Sequence, residues 1–242
     1  ITNLMTLEYG RPLHVYDADK LQSDIIVREA QEGESFDALN DKSYTAAGGE
    51  VAITDNRGLI GLGGIVGGET TGCDENTTNV FLESAYFDPM RIARTGRDLG
   101  VESDARYRFE RGVDPEFTFM GVEIGARLIV ELCGGELSHV VQAGETPEWQ
   151  REIDYDPAYC AQLAGFPVET KRQKEILESL GFGVKGKGPF KVSPPSWRPD
   201  IAGKADLVEE VVRIFGFEHI PSTSVRSLDA VSSSAETQTL TR

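Results

Sequence analysis

Hydrophobic positions change their spacing several times along this chain, and each change predicts a change of element. Leu4, Leu7 and their neighbours recur at helical spacing over Ile1–Gly10, with Gly10 a fitting stop, so a short helix is predicted there. Short apolar runs separated by turns follow. Ile25–Arg28 precedes the loop Gln31–Glu34, and Val51–Thr54 precedes the turn Asp55-Asn56-Arg57-Gly58. Leu59–Leu62 runs into the glycine-rich Gly63–Gly68, and Asn79–Ser84 closes the series. Strands and turns alternating at roughly 8–12-residue spacing mark a β-rich sandwich or barrel-like unit. Helical spacing returns from Asp88-Pro89 through Ile92, Ala93 and Arg97. A longer helix is predicted from about Pro115 to Leu132, carrying Phe117, Met120, Val122, Ile124, Leu128 and Ile129 and stopped by Gly134-Gly135.

A composition shift at Ala143–Pro147 marks a boundary. Beyond it, a strand near Glu152–Tyr155 leads into Asp156-Pro157, a cap followed by proline at the first helical position. That helix ends at Gly165, a second opens near Thr170 and ends at Gly181, and Phe182–Val184 and Phe190–Val192 flank Lys185-Gly186-Lys187-Gly188 as a hairpin. Helix, helix, hairpin is the winged-helix order, and a last helix is predicted from about Lys204 to Phe215. The fold class expected is therefore α+β: a β-rich mixed unit over 1–145, a small winged-helix-like α+β unit over 146–221, and a Ser/Thr-rich linker or frayed tail over 222–242.

Composition narrows the function classes. At 242 residues, 39% hydrophobic and 26% charged, the chain can bury a core and does not have a disordered composition. It has no run of about 18 apolar residues, so no spanning helix is expected. No secretory signal is visible, and the first residue is Ile, so the expectation is a piece of a longer protein. Cys73, Cys133 and Cys160 lack metal-type spacing and fit a reducing cytoplasm as small buried hydrophobes. The net charge of −16 sits mostly in residues 1–150, which hold 12 basic and 27 acidic residues. Such a surface cannot grip a phosphate backbone unaided, because that affinity comes from Lys and Arg. The second unit, with only Lys185 and Lys187 on its wing, is a poor DNA binder.

Several residues carry candidate chemistry. The glycine run at 61–68 lacks the Lys-Ser/Thr of a phosphate loop and reads better as backbone brought close to something bulky. His14, in Arg11-Pro12-Leu13-His14-Val15-Tyr16-Asp17, has no nucleophile or second metal ligand in its surroundings, so triad and zinc hydrolysis both fit poorly. Glu83 interrupts the apolar run Val80-Phe81-Leu82; it must be paired, as with Arg108 or Arg111, or face a cavity where it awaits a polar ligand group. Asp200, Asp206, Glu209 and Glu210 crowd the start of the last helix, where acidic residues favour the helix dipole but also suit a hard cation.

Taken in order, Arg-Pro-Leu-His (11–14), Gly-Gly-Ile-Val-Gly-Gly-Glu (63–69), Leu-Glu-Ser-Ala-Tyr-Phe-Asp-Pro (82–89), Ser-Asp-Ala-Arg-Tyr-Arg-Phe-Glu-Arg-Gly-Val-Asp-Pro (103–115), Pro-Ser-Trp-Arg-Pro-Asp (195–200) and Asp-Leu-Val-Glu-Glu-Val (206–211) resemble the β-subunit family of bacterial phenylalanyl-tRNA synthetases. The resemblance covers about residues 1–221. It implies an editing domain that hydrolyses tyrosyl ester from tRNA specific for phenylalanine, followed by the winged-helix-like domain. Tyrosine is phenylalanine with one hydroxyl added, and a hydrophobic synthetic pocket cannot strongly reject such an addition, so a second hydrolytic site is needed.

Carried over by position, Glu83 reads the tyrosine hydroxyl and His14 orients the ester or the attacking water. Pro12 and Gly67 form pocket walls, and Ala105 is a small wall position. Ser103 stands where many relatives have Thr, keeping the hydroxyl but losing a methyl. Positioned water with substrate assistance is expected rather than a covalent intermediate. Asp200, Asp206, Glu209 and Glu210 match acidic positions of a Mg²⁺ site shared with the α subunit. ATP is used by the full enzyme only, the tRNA 3′ end and the α subunit are the expected partners, and a cytoplasmic location is implied. The rival reading is a segment that has lost editing and serves subunit assembly and tRNA positioning.

Overall fold

The computed structural model describes residues 1–222; the expected tail lies almost wholly outside them. The chain divides into two compact units, Ile1–Arg151 with Pro194–Ala202, and Glu152–Ser193 with the described residues from Gly203 onward. Residues 146–151 and 194–202 thus group with the first unit. The architecture is α+β, as expected.

The first unit opens with helix α1 (Thr2–Tyr9), ended by Gly10 in the left-handed conformation at φ 64°. Strand β1 (His14–Asp17) follows, and then β2 (Ile26–Glu29), β3 (Ser35–Ala38), β4 (Lys42–Thr45), β5 (Val51–Asp55), β6 (Gly58–Leu62), β7 (Val66–Gly67) and β8 (Val80–Glu83). All pairing is antiparallel: a four-stranded sheet in the order β2-β5-β6-β7, the hairpin β3-β4, and the ribbon β1-β8. Three helices complete the unit: α2 (Pro89–Asp98), α3 (Asp104–Phe109) and α4 (Phe117–Cys133). Asp88 caps α2 by accepting from the Arg91 N–H at 2.8 Å, with proline at the first position.

The core of this unit is built by Tyr16, Ile53, Ile60, Ile65, Phe87 and Phe109 with smaller neighbours. Phe87 and Phe109 meet edge to face at 5.1 Å, and burying a ring of this size contributes about 1.5–3 kcal/mol. These rings explain the glycine run. A Cβ at Gly63 would lie 2.7 Å from Phe87, and Gly64, at φ +70°, faces Phe87, Phe109 and Ile92. The bulky partner expected beside the glycines is the protein's own core.

Helix α4 departs from its apolar pattern. Its buried residues are Gly121 and Gly125, whereas Phe119 and Met120 are exposed. The two glycines stand one turn apart and press on Arg11, Leu13 and Leu82, so α4 backs the β1-β8 ribbon at close range. Arg11, fully buried, donates to the carbonyls of Ala85 (2.9 Å) and Asp114. The cysteines also differ from expectation: Cys160 is buried, but Cys73 and Cys133 are exposed, and all three are free.

The second unit contains β9 (Ile153–Tyr155), α5 (Ala158–Ala164), α6 (Thr170–Ser179), β10 (Gly183–Lys185), β11 (Phe190–Ser193) and α7 (Lys204–Phe215), with a sheet in the order β10-β11-β9. Its core includes Tyr155, Ile176, Leu177, Phe190, Leu207 and Val211. A buried polar link ties it together: the Tyr155 hydroxyl donates to Gln173 Oε1 at 2.6 Å, and Gln173 Nε2 donates to the Val168 carbonyl at 2.7 Å. Every strong donor and acceptor there is satisfied, as burial demands.

Candidate functional site

The β1-β8 ribbon assembles the site. In its register His14 stands opposite Glu83 and Tyr16 opposite Phe81. Directly opposed residues of an antiparallel pair share a face, as do residues two apart on one strand. His14, Tyr16 and Glu83 therefore project from one face, while Leu13 and Leu82 face α4 on the other.

Within this cluster the Tyr16 hydroxyl donates to Glu83 Oε2 at 2.6 Å, and the rings of His14 and Tyr16 meet edge to face at 4.3 Å. Burial pushes the Glu83 carboxyl pKa upward, and the Tyr16 hydrogen bond pulls it back. Burial, the Glu83 charge and the hydrogen bond push the Tyr16 phenol far above its ordinary value, so it stays a donor. The pairing of Glu83 with Arg108 or Arg111 does not occur: Arg108 bonds Asp104, and Arg111 bonds Glu110 and lies over the Tyr107 ring.

His14 Nε2 is buried without a hydrogen-bond partner. Such an orphan is costly unless a ligand or water satisfies it. Burial lowers the imidazole pKa from 6.5 to about 4, so His14 is neutral near pH 7. It is therefore suited to hydrogen-bond a water or an ester oxygen rather than to act as a cation. Because the folded state binds this proton less readily than the unfolded chain, His14 makes the protein less stable as pH falls from about 6.5 to about 4. An NMR titration of the His14 ring is expected to show a midpoint near 4; a midpoint near the model-peptide value of about 6.5 would contradict the burial.

Gly67 lies against the His14 ring, where a Cβ would sit 2.7 Å from Nε2. The exposed Leu39, whose backbone N–H donates to the Gly67 carbonyl at 3.0 Å, flanks the same glycine. Ser103 caps α3: its hydroxyl accepts from the Arg106 N–H at 3.1 Å and donates to the Ile65 carbonyl at 2.9 Å. Its proton is thus committed to the backbone, and it positions the loop that enters β7. Pro12 is buried just before β1, and Ala105 is half-buried against the first-unit core. His14, Gly67 and Glu83 are brought together, with Ser103 tied to their loop; Pro12 and Ala105 lie in adjoining segments.

Sequence reasoning did not single out Tyr16 and Leu39. Tyr16 had a signal, the period-two spacing from His14 along a strand. Leu39 had none, since its position depends on a backbone bond between distant segments.

The four acidic residues are divided between the two units. Asp200, in the first unit, engages Arg198 at 2.8 and 2.6 Å, which holds its carboxyl below the usual range. In the second unit, Asp206 accepts from the Gly203 N–H at 2.8 Å at the start of α7, Glu210 pairs with Arg213 at 2.7 Å, and Glu209 is exposed. Among the described residues no group of three or more His, Cys, Asp or Glu is placed to hold a metal ion. Among the described residues no helix is long and apolar enough to cross a membrane.

Comparison with known proteins defines the class first. The family model described as "B3/4 domain" matches residues 1–134, and the one described as "tRNA synthetase B5 domain" matches 153–217. The first spans more than half of the chain, which therefore belongs to the B3/4 domain family, in the form carried by phenylalanine–tRNA ligase β subunits. It is 53% identical over 225 residues to the protein of that name from Rhodospirillum rubrum, and 50% identical over 224 residues to that from Paramagnetospirillum magneticum. Each alignment covers 92% of this chain and 28% of the relative, so the chain spans little more than a quarter of their length. A solved N-terminal fragment of the phenylalanyl-tRNA synthetase β subunit from Pyrococcus horikoshii is similar at TM-score 0.43 and 18% identity, covering 89% of this chain and 64% of that one.

Proposed function

We propose that this segment is the editing unit of a phenylalanine–tRNA ligase and hydrolyses tyrosyl ester from tRNA specific for phenylalanine. The observation that carries the reading is the ribbon face bearing His14 and Glu83: a half-buried carboxylate whose Oε1 has no donor among the described residues, opposite a neutral imidazole with an unpartnered nitrogen. A phenol hydroxyl donated to Glu83 would anchor the tyrosine side chain. Phenylalanine offers no such donor and leaves the carboxylate with an unmet demand. The ester end then lies toward His14 and Gly67, where Nε2 orients the attacking water or the ester oxygen. Water adds to the ester carbonyl, and the products are tyrosine and free tRNA. A neutral imidazole with a pKa of about 4 is a weak base, which agrees with substrate assistance rather than full proton abstraction by the protein.

The α subunit of the ligase, the tRNA 3′ end and, in the assembled enzyme, ATP and a Mg²⁺ shared with the α subunit complete the proposal. The acidic first unit supports delivery of the charged end by other parts of the assembly, because phosphate binding needs cationic groups. The second reading, an assembly segment without hydrolysis, is favoured by the exposed apolar residues Leu4 and Leu7 on α1 and Phe119 and Met120 on α4.

Hydrolysis of tyrosyl-tRNA and phenylalanyl-tRNA specific for phenylalanine by the assembled ligase separates the two readings. Selective loss of the tyrosyl ester is expected, and Glu83→Ala should lower that selectivity by about tenfold or more, the worth of one hydrogen bond to a charged group. Equal hydrolysis of both esters by the parent and the variant would remove Glu83 from its role. No hydrolysis by either would favour assembly.

A further inference from the structure

A carboxylate that reads a hydroxyl must keep one oxygen open and hold its orientation. Glu83 on its own is poorly suited to this, because a side chain with three rotatable bonds does not present one oxygen to a ligand. The structure supplies the missing constraint from within. Tyr16, buried at 2% exposure, donates its hydroxyl to Oε2 at 2.6 Å. Its ring is itself fixed between His14, at 4.3 Å, and Phe81, at 6.1 Å. A donor held on two sides pins the acceptor, and short bonds to a carboxylate are the strong ones.

We propose that Tyr16 is the positioning residue for substrate selection: its phenol fixes Glu83 through Oε2 and leaves Oε1 to the hydroxyl of the substrate. The protein's own tyrosine thus makes to one oxygen the bond that the substrate's tyrosine makes to the other. This inference rests on the editing reading above.

The test is Tyr16→Phe in the assembled ligase, which keeps the ring against His14 and Phe81 and removes only the hydroxyl. KM for the tyrosyl ester is expected to rise about tenfold with kcat little changed, since one charged hydrogen bond at the recognition end is lost. Slow hydrolysis of the phenylalanyl ester should be unaffected. A purely structural role would instead lower kcat for both esters, or the yield of folded enzyme. The double variant with Glu83→Ala provides the second measurement: if Tyr16 acts through Glu83, Tyr16→Phe adds nothing in that background. Additive losses, or a parent-like KM in the single variant, would overturn the role of Tyr16 while leaving the editing reading intact. A parent enzyme without tyrosine selectivity would overturn both.

Discussion

Gly67→Ala is expected to abolish ester hydrolysis while leaving the protein folded. The backbone at 67 lies at the end of a two-residue strand, outside the region of positive φ, so alanine is sterically acceptable to the chain itself. The obstacle is the His14 ring: the new Cβ would lie 2.7 Å from Nε2 and closer still to Cε1. Leu39 Cδ1, at 3.2 Å, limits escape on the other side. The imidazole must therefore swing away from the ester end of the site. Misplacing a catalytic or orienting group by about 1 Å is enough to cost roughly a hundredfold in rate. Since His14 is half-buried on the β1-β8 ribbon and is not among the residues of the buried core, the melting temperature should stay close to that of the parent. Rates on tyrosyl-tRNA, measured beside a thermal melt, give the answer. Parent-like hydrolysis by Gly67→Ala would show that His14 does not need its observed position.

The contrast between Gly67 and its neighbours also shows what was legible in the sequence. That glycines at 61–68 brought backbone close to bulk could be argued from their lack of side chains and of phosphate-loop chemistry. Which bulk each one meets depends on chain segments far away: Phe87 for Gly63, His14 for Gly67, the Ile60 carbonyl for Gly68. Helices were legible because α2 carries a cap with proline at its first position, α4 a glycine stop and α7 repeated apolar positions. The hairpin β3-β4 was not, since each strand has four residues and only Phe36, Ala38 and Tyr44 turn inward. Its turn is closed by Asn40 Nδ2 donating to the Tyr44 hydroxyl at 2.9 Å and by Asp41 at φ 59°, local chemistry that no periodicity reports.

The same limits apply to the site. Glu83 stood out because a carboxylate in an apolar strand demands an explanation. Its partner did not stand out, because β1 is short and pairs with β8 across more than sixty residues of chain. The arginines next in line as partners are instead engaged within α3 and the turn after it: Arg108 with Asp104, and Arg111 with Glu110 and the Tyr107 carbonyl. On α4 the apolar count misled in another way. Close approach selected glycine at 121 and 125 for the buried stripe, and Phe119, Met120 and Leu132 were left outside.

One position further along, Gly68→Ala is expected to have the opposite signature, a loss of stability without a specific effect on the ester end. Gly68 is buried, and its N–H donates to the Ile60 carbonyl at 2.8 Å. A Cβ there would overlap that carbonyl oxygen and lie 3.0 Å from its carbon. Both are backbone atoms of β6, held by pairing with β5, so neither can rotate away as a side chain would. Phe36 Cδ2, at 3.4 Å, closes the remaining direction. Relief requires β6 and the chain after β7 to separate, breaking the hydrogen bond and loosening the core around Ile60. Overpacking of this kind costs about 3 kcal/mol, a large fraction of the roughly 5–15 kcal/mol that holds a native protein. Denaturant unfolding of the parent and the variant measures it, with the expected shift in midpoint at unchanged slope. A variant that unfolds with the parent would mean that β6 yields freely at Ile60. Residual hydrolysis by the folded fraction of Gly68→Ala should keep its preference for the tyrosyl ester, because His14, Tyr16 and Glu83 stand on the separate β1-β8 ribbon.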